Sequence, residues 1–209
     1  MTEEEARTRI GRDVPRETML LIDKLVALVA DENDRQNLIA SSTITVMWTR
    51  HILDSVQLAW LADGLTGTWL DIGSGGGFPG LVVGILRNTP TILIEPRAKR
   101  AAFLRQAVDV LELEGSITVI QSRAQTALIA SKPQIISARA VAALPALFDM
   151  ASGHADANTL WLLPKGRSAE AEVVEARREW QGDFRLEPSL SDPDSAIVVA
   201  RGVRRKKSG

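Results

Sequence analysis

Asp71, Gly73, Gly75 and Gly77 alternate through LDIGSGGGFPG (70–80), with further glycines at 76 and 80 and a proline at 79. Glycine is required where φ is positive or where a ligand must touch the backbone. Pro79 suits the first turn of a helix, where its missing N–H costs nothing. A loop of this kind, after a short apolar run and before a helix, is a place to hold a nucleotide-bearing cofactor against main-chain N–H groups. A glycine-rich turn without a ligand is the simpler alternative, and the density of glycine at one strand-to-helix junction argues against it. Glu95 ends the next apolar run, at the spacing where a carboxylate meets ribose hydroxyls.

Two cofactors fit these patterns. Gly75-x-Gly77-x-x-Gly80 with Glu95 satisfies a dinucleotide fingerprint. Asp71-x-Gly73-x-Gly75-x-Gly77 suits S-adenosylmethionine, with Asp71 near the cofactor's ammonium group. The second reading is favoured. The chain has no Tyr, no His lies where a hydride-transfer acid is expected, and no length remains for a separate substrate domain. A phosphate-binding Walker loop is excluded, because no Gly-Lys-Ser/Thr follows.

Few other residues offer chemistry. His51, Asp54 and Ser55 have the types of a nucleophilic triad, but at i, i+3 and i+4 on one helix they cannot form a relay. His51 is expected to pack or to join a binding surface. His154 has no neighbours at metal-ligand spacing, so no metal is expected. With no cysteine in the chain, disulfides, thiolate metal sites and covalent cytosine methylation are all removed. Methyl transfer to an existing lone pair needs little more than alignment. Arg139, after a later apolar run, could pair with a carboxylate or phosphate.

The elements that must position these residues follow from hydrophobic spacing. Leu21, Leu25 and Leu28, with Ile22, Val26 and Val29, mark a helix; Trp48, Ile52, Val56 and Ala59 mark another beyond a break at DENDRQN. From Thr68 the pattern changes to short apolar runs, TWLDI, TILIE, SITVI, QIISA and TLWLL, separated by crossover-length segments. DFRLEP and AIVVA read as a closing antiparallel pair with SLSDPDS as the turn. The expectation is an α/β fold: a Rossmann-like, mostly parallel seven-stranded sheet over residues 65–209, with a helical N-terminal cap over 1–64. Its 209 residues, 45% hydrophobic and 24% charged, suit a soluble globular protein of this size. The acidic start MTEEEARTRIG is no secretory signal, and Asp23 and Lys24 interrupt the first apolar run, so a cytoplasmic, membrane-free protein is expected. A net charge of −1 gives no global argument for nucleic acid. The segment EPRAKRAAFLR and the tail RGVRRKKSG are nevertheless locally basic.

Taken in order, RHILDS (50–55), LDIGSGGGFPG (70–80), EPRAKRAAFLRQ (95–106), VIQSRAQ (119–125), SARAVAAL (137–144) and LLPKG (162–166) resemble the RsmG (GidB) family of 16S ribosomal RNA guanine-N7 methyltransferases. The resemblance runs from about Asn33 through most of the chain. It implies a class I methyltransferase fold, S-adenosyl-L-methionine as donor, S-adenosyl-L-homocysteine as product, and a guanine N7 of small-subunit ribosomal RNA as acceptor. Carried over by position, cofactor contacts come from Gly73, Phe78, Ala124, Gln125 and Arg139, beside Asp71, Gly75 and Glu95. The family commonly has Glu where this chain has Gln125. RNA contacts are expected from His51, Arg97, Lys99, Arg100, Arg139 and Lys165, with the basic tail a weaker candidate. Arg139 and Lys165 are the expected positioning residues, and a monomer is expected. Guanine N7 carries a free lone pair, so the missing base fits. Five Trp, four Phe and no Tyr argue against a broad base-stacking platform. The residues themselves leave open a small-molecule methyltransferase or a non-catalytic nucleotide-binding module.

Overall fold

The computed structural model describes residues 1–207. Helices α1 (Glu3–Gly11) and α2 (Arg16–Asn33) come first, followed by a 3-10 stretch (Ser41–Val46), a π-helical turn (Trp48–Leu53) and α3 (Asp54–Leu61). Then come β1 (Trp69–Ile72), α4 (Gly80–Arg87), β2 (Thr91–Ile94), α5 (Ala98–Val110), β3 (Ile117–Ile120), β4 (Ile135–Ala138), α6 (Leu144–Ala151), β5 (Leu160–Lys165), α7 (Ala169–Glu179), β6 (Trp180–Pro188) and β7 (Ala196–Arg205).

The seven strands form one sheet in the order β3-β2-β1-β4-β5-β7-β6. Pairing is parallel from β3 through β5, and β7 runs antiparallel to both β5 and β6. The expected α/β class and mixed seven-stranded sheet are therefore present. Side chains alternate across the sheet with the strand period of two. Leu70, Ile136, Trp161 and Val198 face one core with Leu147, Phe148 and Val173 of α6 and α7. Trp69, Ile135, Leu162 and Val199 face the other with Leu58 and Val83 of α3 and α4. Near-continuous apolar strands are what a sheet covered on both sides requires. Ile10, Ile22, Leu25 and Val29 of α1 and α2 share one core with Leu81 of α4, Leu93 of β2, and Phe103 and Leu104 of α5.

Three features differ from the sequence expectation. Helix α1 (Glu3–Gly11) lies within MTEEEARTRIG, a part of the expected helical cap where hydrophobic spacing marks no helix. Its signal was a capping box: Glu5 N–H donates to Thr2 Oγ1 at 3.1 Å, and Thr2 N–H donates to Glu5 Oε2 at 2.7 Å. The stripe Trp48–Ile52–Val56–Ala59 is not one α-helix, because its first half winds as a π-turn. Strand β7 continues to Arg205, so Arg204 and Arg205 of the basic tail belong to the sheet. Because β7 starts beside Lys165 and ends beside Trp180, those arginines sit at the sheet edge opposite the carboxyl ends of the parallel strands. Arg205 there binds Asp149 at 2.5 Å and Glu179 at 2.8 Å.

Candidate active site

The strand order aligns the chemistry-bearing residues. Along the carboxyl edge the chain presents Gln125 after β3, Glu95 after β2, the glycine loop after β1, Arg139 after β4 and Lys165 at the end of β5. With strands spaced about 4.8 Å apart, the ledge from β3 to β4 is roughly 14 Å long. That length suits an extended nucleoside joined to an amino acid.

The loop is rigid. Gly73 and Ser74 N–H groups donate to the Ile94 carbonyl at 2.8 and 3.1 Å, and Gly77 N–H donates to the Ser74 carbonyl at 2.7 Å. Glu95 is 3% exposed. Its Oε2 accepts from Gly75 N–H and its Oε1 from Arg97 N–H, both at 2.9 Å, so one carboxylate ties the ends of β1 and β2 together. Asp71 is fully buried. Its Oδ1 accepts from Ser137 Oγ at 2.6 Å, and Ser137 Oγ in turn accepts from Trp69 Nε1 at 2.7 Å. Asp71 Oδ2 has no hydrogen-bonding partner and lies against Gly80 at the N-terminus of α4, where a helix dipole favours negative charge. Burial pushes this carboxyl up to about 6, opposed by the hydrogen bond from Ser137.

A cleft of about 780 Å³ opens beside the loop, lined among others by Leu38, Thr43, His51, Arg100, Arg139 and Lys165. Its ionisable side chains are already engaged. Arg139 donates from Nη2 to His51 Nδ1 at 2.7 Å and from Nη1 to the Arg50 carbonyl at 3.0 Å, with Asp54 at 3.8 Å. His51 Nε2 donates to Thr43 Oγ1 at 2.8 Å, and the ring stacks on Phe78 with centroids 5.0 Å apart. Burial and the charges of Arg139 and Arg50 push His51 down to about 3, so it is neutral. Asp54 accepts from Ser189 at 3.2 Å and also from Ser191; burial raises its carboxyl above the usual range. Lys165 Nζ binds Glu172 at 2.8 Å and donates to the Ala142 carbonyl at 2.5 Å. Arg50 pairs with Asp192 at 2.7 Å, and Arg100 donates to the Asn37 carbonyl at 2.8 Å.

A family model described as rRNA small subunit methyltransferase G matches residues 19–191. The chain belongs to this GidB family. Among curated relatives, the Ribosomal RNA small subunit methyltransferase G of Rhizorhabdus wittichii is 47% identical, covering 100% of this chain and 97% of that protein. Its namesake in Zymomonas mobilis is 40% identical, covering 99% of this chain and 97% of that protein. Among solved structures, the glycopeptide N-methyltransferase MtfA in complex with S-adenosyl-L-homocysteine superposes with a TM-score of 0.59 at 13% identity, covering 72% and 89% of the two chains. The m1A22 tRNA methyltransferase TrmK of B. subtilis superposes at 0.58 with 13% identity, covering 71% and 65%. At such identities these neighbours speak to the fold, which is that of class I methyltransferases.

Against this GidB-family frame, the residues expected at the site fall into three groups. Gly73, Gly75, Glu95 and Arg139 converge along the ledge, and Phe78, 4% exposed, lies beneath the ring of His51 and the guanidinium of Arg139, the latter 5.6 Å from its centroid. Ala124 is buried, and its carbonyl accepts from His154 Nε2 at 2.6 Å; Gln125 is exposed beside it. Arg97 and Lys99 are exposed on the rim. Three placements differ from expectation. Asp71 faces the interior rather than the ledge, because Ser137 and α4 enclose it. His51 is 8% exposed with both ring nitrogens bonded to protein, so it presents no free polar edge to RNA. Lys165 is paired with Glu172 across the β5–α7 junction instead of standing free as a clamp. The sequence reading passed over Thr43, Arg50, Glu172, Ser189, Ser191 and Asp192. RHILDS contains Arg50, and the serines of SLSDPDS were visible, but nothing local joined the two segments.

Among the described residues, no helix is long and apolar enough to cross a membrane.

Proposed function

We propose that this chain transfers a methyl group from S-adenosyl-L-methionine to the N7 of a guanine in 16S ribosomal RNA. One observation carries the choice of acceptor: among the described residues, each acid or base lining the cleft is already hydrogen-bonded. His51 has no free lone pair, Asp54 is held by two serines, and Glu172 by Lys165, Ser168 and the Leu144 N–H. A cleft whose histidine has both ring nitrogens bonded to protein suits an acceptor that needs no deprotonation, and guanine N7 is such a nitrogen. The printed names of the family and its relatives support ribosomal RNA as the substrate.

The cofactor fits the ledge. Each oxygen of Glu95 holds one N–H, so lone pairs remain for a ribose diol. Gly75 is the loop glycine with the most open space around an added methyl group, the closest atoms being Arg100 Nη1 and the Gly73 carbonyl at 3.6 Å. Gly73, Gly75, Phe78, Glu95, Ala124, Gln125 and Arg139 would surround the cofactor, with Asp71 bracing the strand end from behind, and when bound the cofactor supplies an activated sulfonium methyl. The chain's own contribution is alignment. Leu38, Ile39 and Val141 form an apolar wall of the cleft, Arg100 lines it, and the exposed Arg97 and Lys99 nearby in sequence offer further positive charge to phosphates. The N-terminal helices, residues 1–64, act as a cap that supplies one wall of the cleft. We further propose that the protein works as a cytoplasmic monomer.

Labelled S-adenosylmethionine incubated with unmodified small-subunit RNA or particles tests this. The label is expected at a guanine whose chain becomes cleavable by reduction and aniline, the signature of N7 methylation. Label on another atom, or no label, would overturn it.

A further inference from the structure

His51 stands at a junction that the reaction itself does not require. Its ring stacks on Phe78 of the glycine loop at 22° between planes. One nitrogen meets Thr43 of the 3-10 stretch, and the other meets Arg139 at the end of β4. The π-turn helps to make this possible, because it directs both the His51 ring and the Arg50 carbonyl toward the guanidinium; single π-turns recur where such side chains must converge. Arg139 has five N–H donors. Two are fixed by His51 and Arg50, which leaves three for a ligand in the cleft that Arg139 lines.

We infer that His51 is a positioning residue for methyl transfer: a hydrogen-bond acceptor that locks the plane of Arg139 toward the acceptor nucleotide. This rests on the methyl-transfer reading above. The tautomer follows from the partners. Arg139 can only donate, so Nδ1 must accept, and the remaining proton sits on Nε2 and goes to Thr43. A protonated ring would turn an N–H toward the guanidinium and drive it away. The charged groups facing the ring are Arg139 from β4, and Arg50 and Asp54 from its own helical stretch. Together with burial the two arginines keep it uncharged.

The experiment compares His51→Asn, His51→Gln and His51→Phe by melting, by calorimetric binding of S-adenosylmethionine, and by kcat and KM on small-subunit particles. Asn places its carbonyl oxygen where Nδ1 stands, Gln reaches only the Nε2 position, and Phe keeps the stack alone. The expected result is at least a tenfold loss of kcat in the Gln and Phe variants, with most of it recovered in the Asn variant. The wild-type kcat should show no histidine titration between pH 5.5 and 8. Full activity in His51→Phe, or Gln outperforming Asn, would overturn the assignment. So would a wild-type rate that falls with a midpoint near 6.5 that His51→Asn lacks. If His51→Phe fails to fold, Thr43→Val serves. It should lower kcat in the wild type and have no further effect in the His51→Asn background; equal effects in both would overturn the assignment. A wild-type protein that binds cofactor but labels no RNA would instead overturn the methyl-transfer reading itself.

Discussion

Replacing Gly75 with alanine separates a ligand-facing glycine from the packed ones beside it. Gly75 has φ +55°, and a Cβ there meets nothing closer than 3.6 Å. The folded state therefore bears only the left-handed backbone term, about 1–2 kcal/mol for an L-residue. In a chain of this length that lowers Tm by about 2–8 °C. Gly77→Ala is the contrasting variant. At φ +91° its Cβ would stand 2.4 Å from Leu81 Cδ1 and 2.9 Å from Cγ, and Leu81 is fully buried in the first turn of α4. Overpacking adds about 1–3 kcal/mol to the backbone term, so Gly77→Ala should melt lower than Gly75→Ala. Cofactor affinity should run the other way. The new methyl at Gly75 occupies ligand space and should weaken S-adenosylmethionine binding by at least tenfold, about 1.4 kcal/mol. Folded Gly77→Ala should bind nearly as the wild type does. Thermal melts and calorimetric titrations below each variant's Tm make the comparison. Wild-type affinity in a folded Gly75→Ala protein would refute the assignment of this loop to the cofactor.

Glu95→Gln keeps size but turns one of two acceptors into a donor facing a backbone N–H; calorimetry should show cofactor binding weakened by about tenfold or more. Lys165→Met leaves Glu172 without its ammonium partner in a site where both side chains are under a fifth exposed, which should cost about 1–3 kcal/mol in denaturant melts, after discounting the loss expected of a fully buried pair. Adding Glu172→Gln should restore part of that loss, and unchanged stability in the single variant would sink the structural reading of the pair. Asp71 gives a pH signature: its carboxyl titrates near 6 when folded and near 3.9 when unfolded. Between those values the folded state holds the extra proton, so this group's contribution to stability falls as pH rises from about 4 to 6. The unfolding free energy of the wild type relative to Asp71→Asn should fall over that window by roughly 2 kcal/mol, and a flat difference would refute it.

The sheet was legible because its information is local. Each strand of the parallel region is an apolar run of four to six residues bounded by turns, and the spacing between runs dictates crossover helices and a parallel sheet. The loop at 70–80 was legible for the same reason: glycines, Pro79 and the following apolar helix lie within one strand-to-helix unit. The first helix escaped notice because only two of its residues, Ala6 and Ile10, are buried. An apolar stripe that thin gives little periodicity, and the capping box was its only strong mark. The π-turn left no trace in spacing, because a single wide turn shifts a stripe by less than one residue's width on the helix surface.

The cleft was not legible in the same way, and the reason lies in what holds its charges. Arg50 and Asp192 are 142 positions apart, Asp54 and Ser191 137, and His51 and Arg139 88. Each half of such a pair reads locally as a free functional group. His51 resembles a base or an RNA contact, Lys165 a phosphate clamp, Asp54 part of a relay. Folding places each beside a complementary group in a partly buried cleft, where an unpaired charge would be costly. What remains free is a small set of arginine and main-chain N–H groups and the exposed cations of Arg97 and Lys99. The pairing thus occupies both nitrogens of His51 while leaving the cleft's capacity to orient an anionic, lone-pair-bearing substrate. A cleft whose histidine is occupied in this way favours an acceptor atom that is already nucleophilic, and that preference is what links the hydrogen-bond geometry to the proposed guanine N7 acceptor.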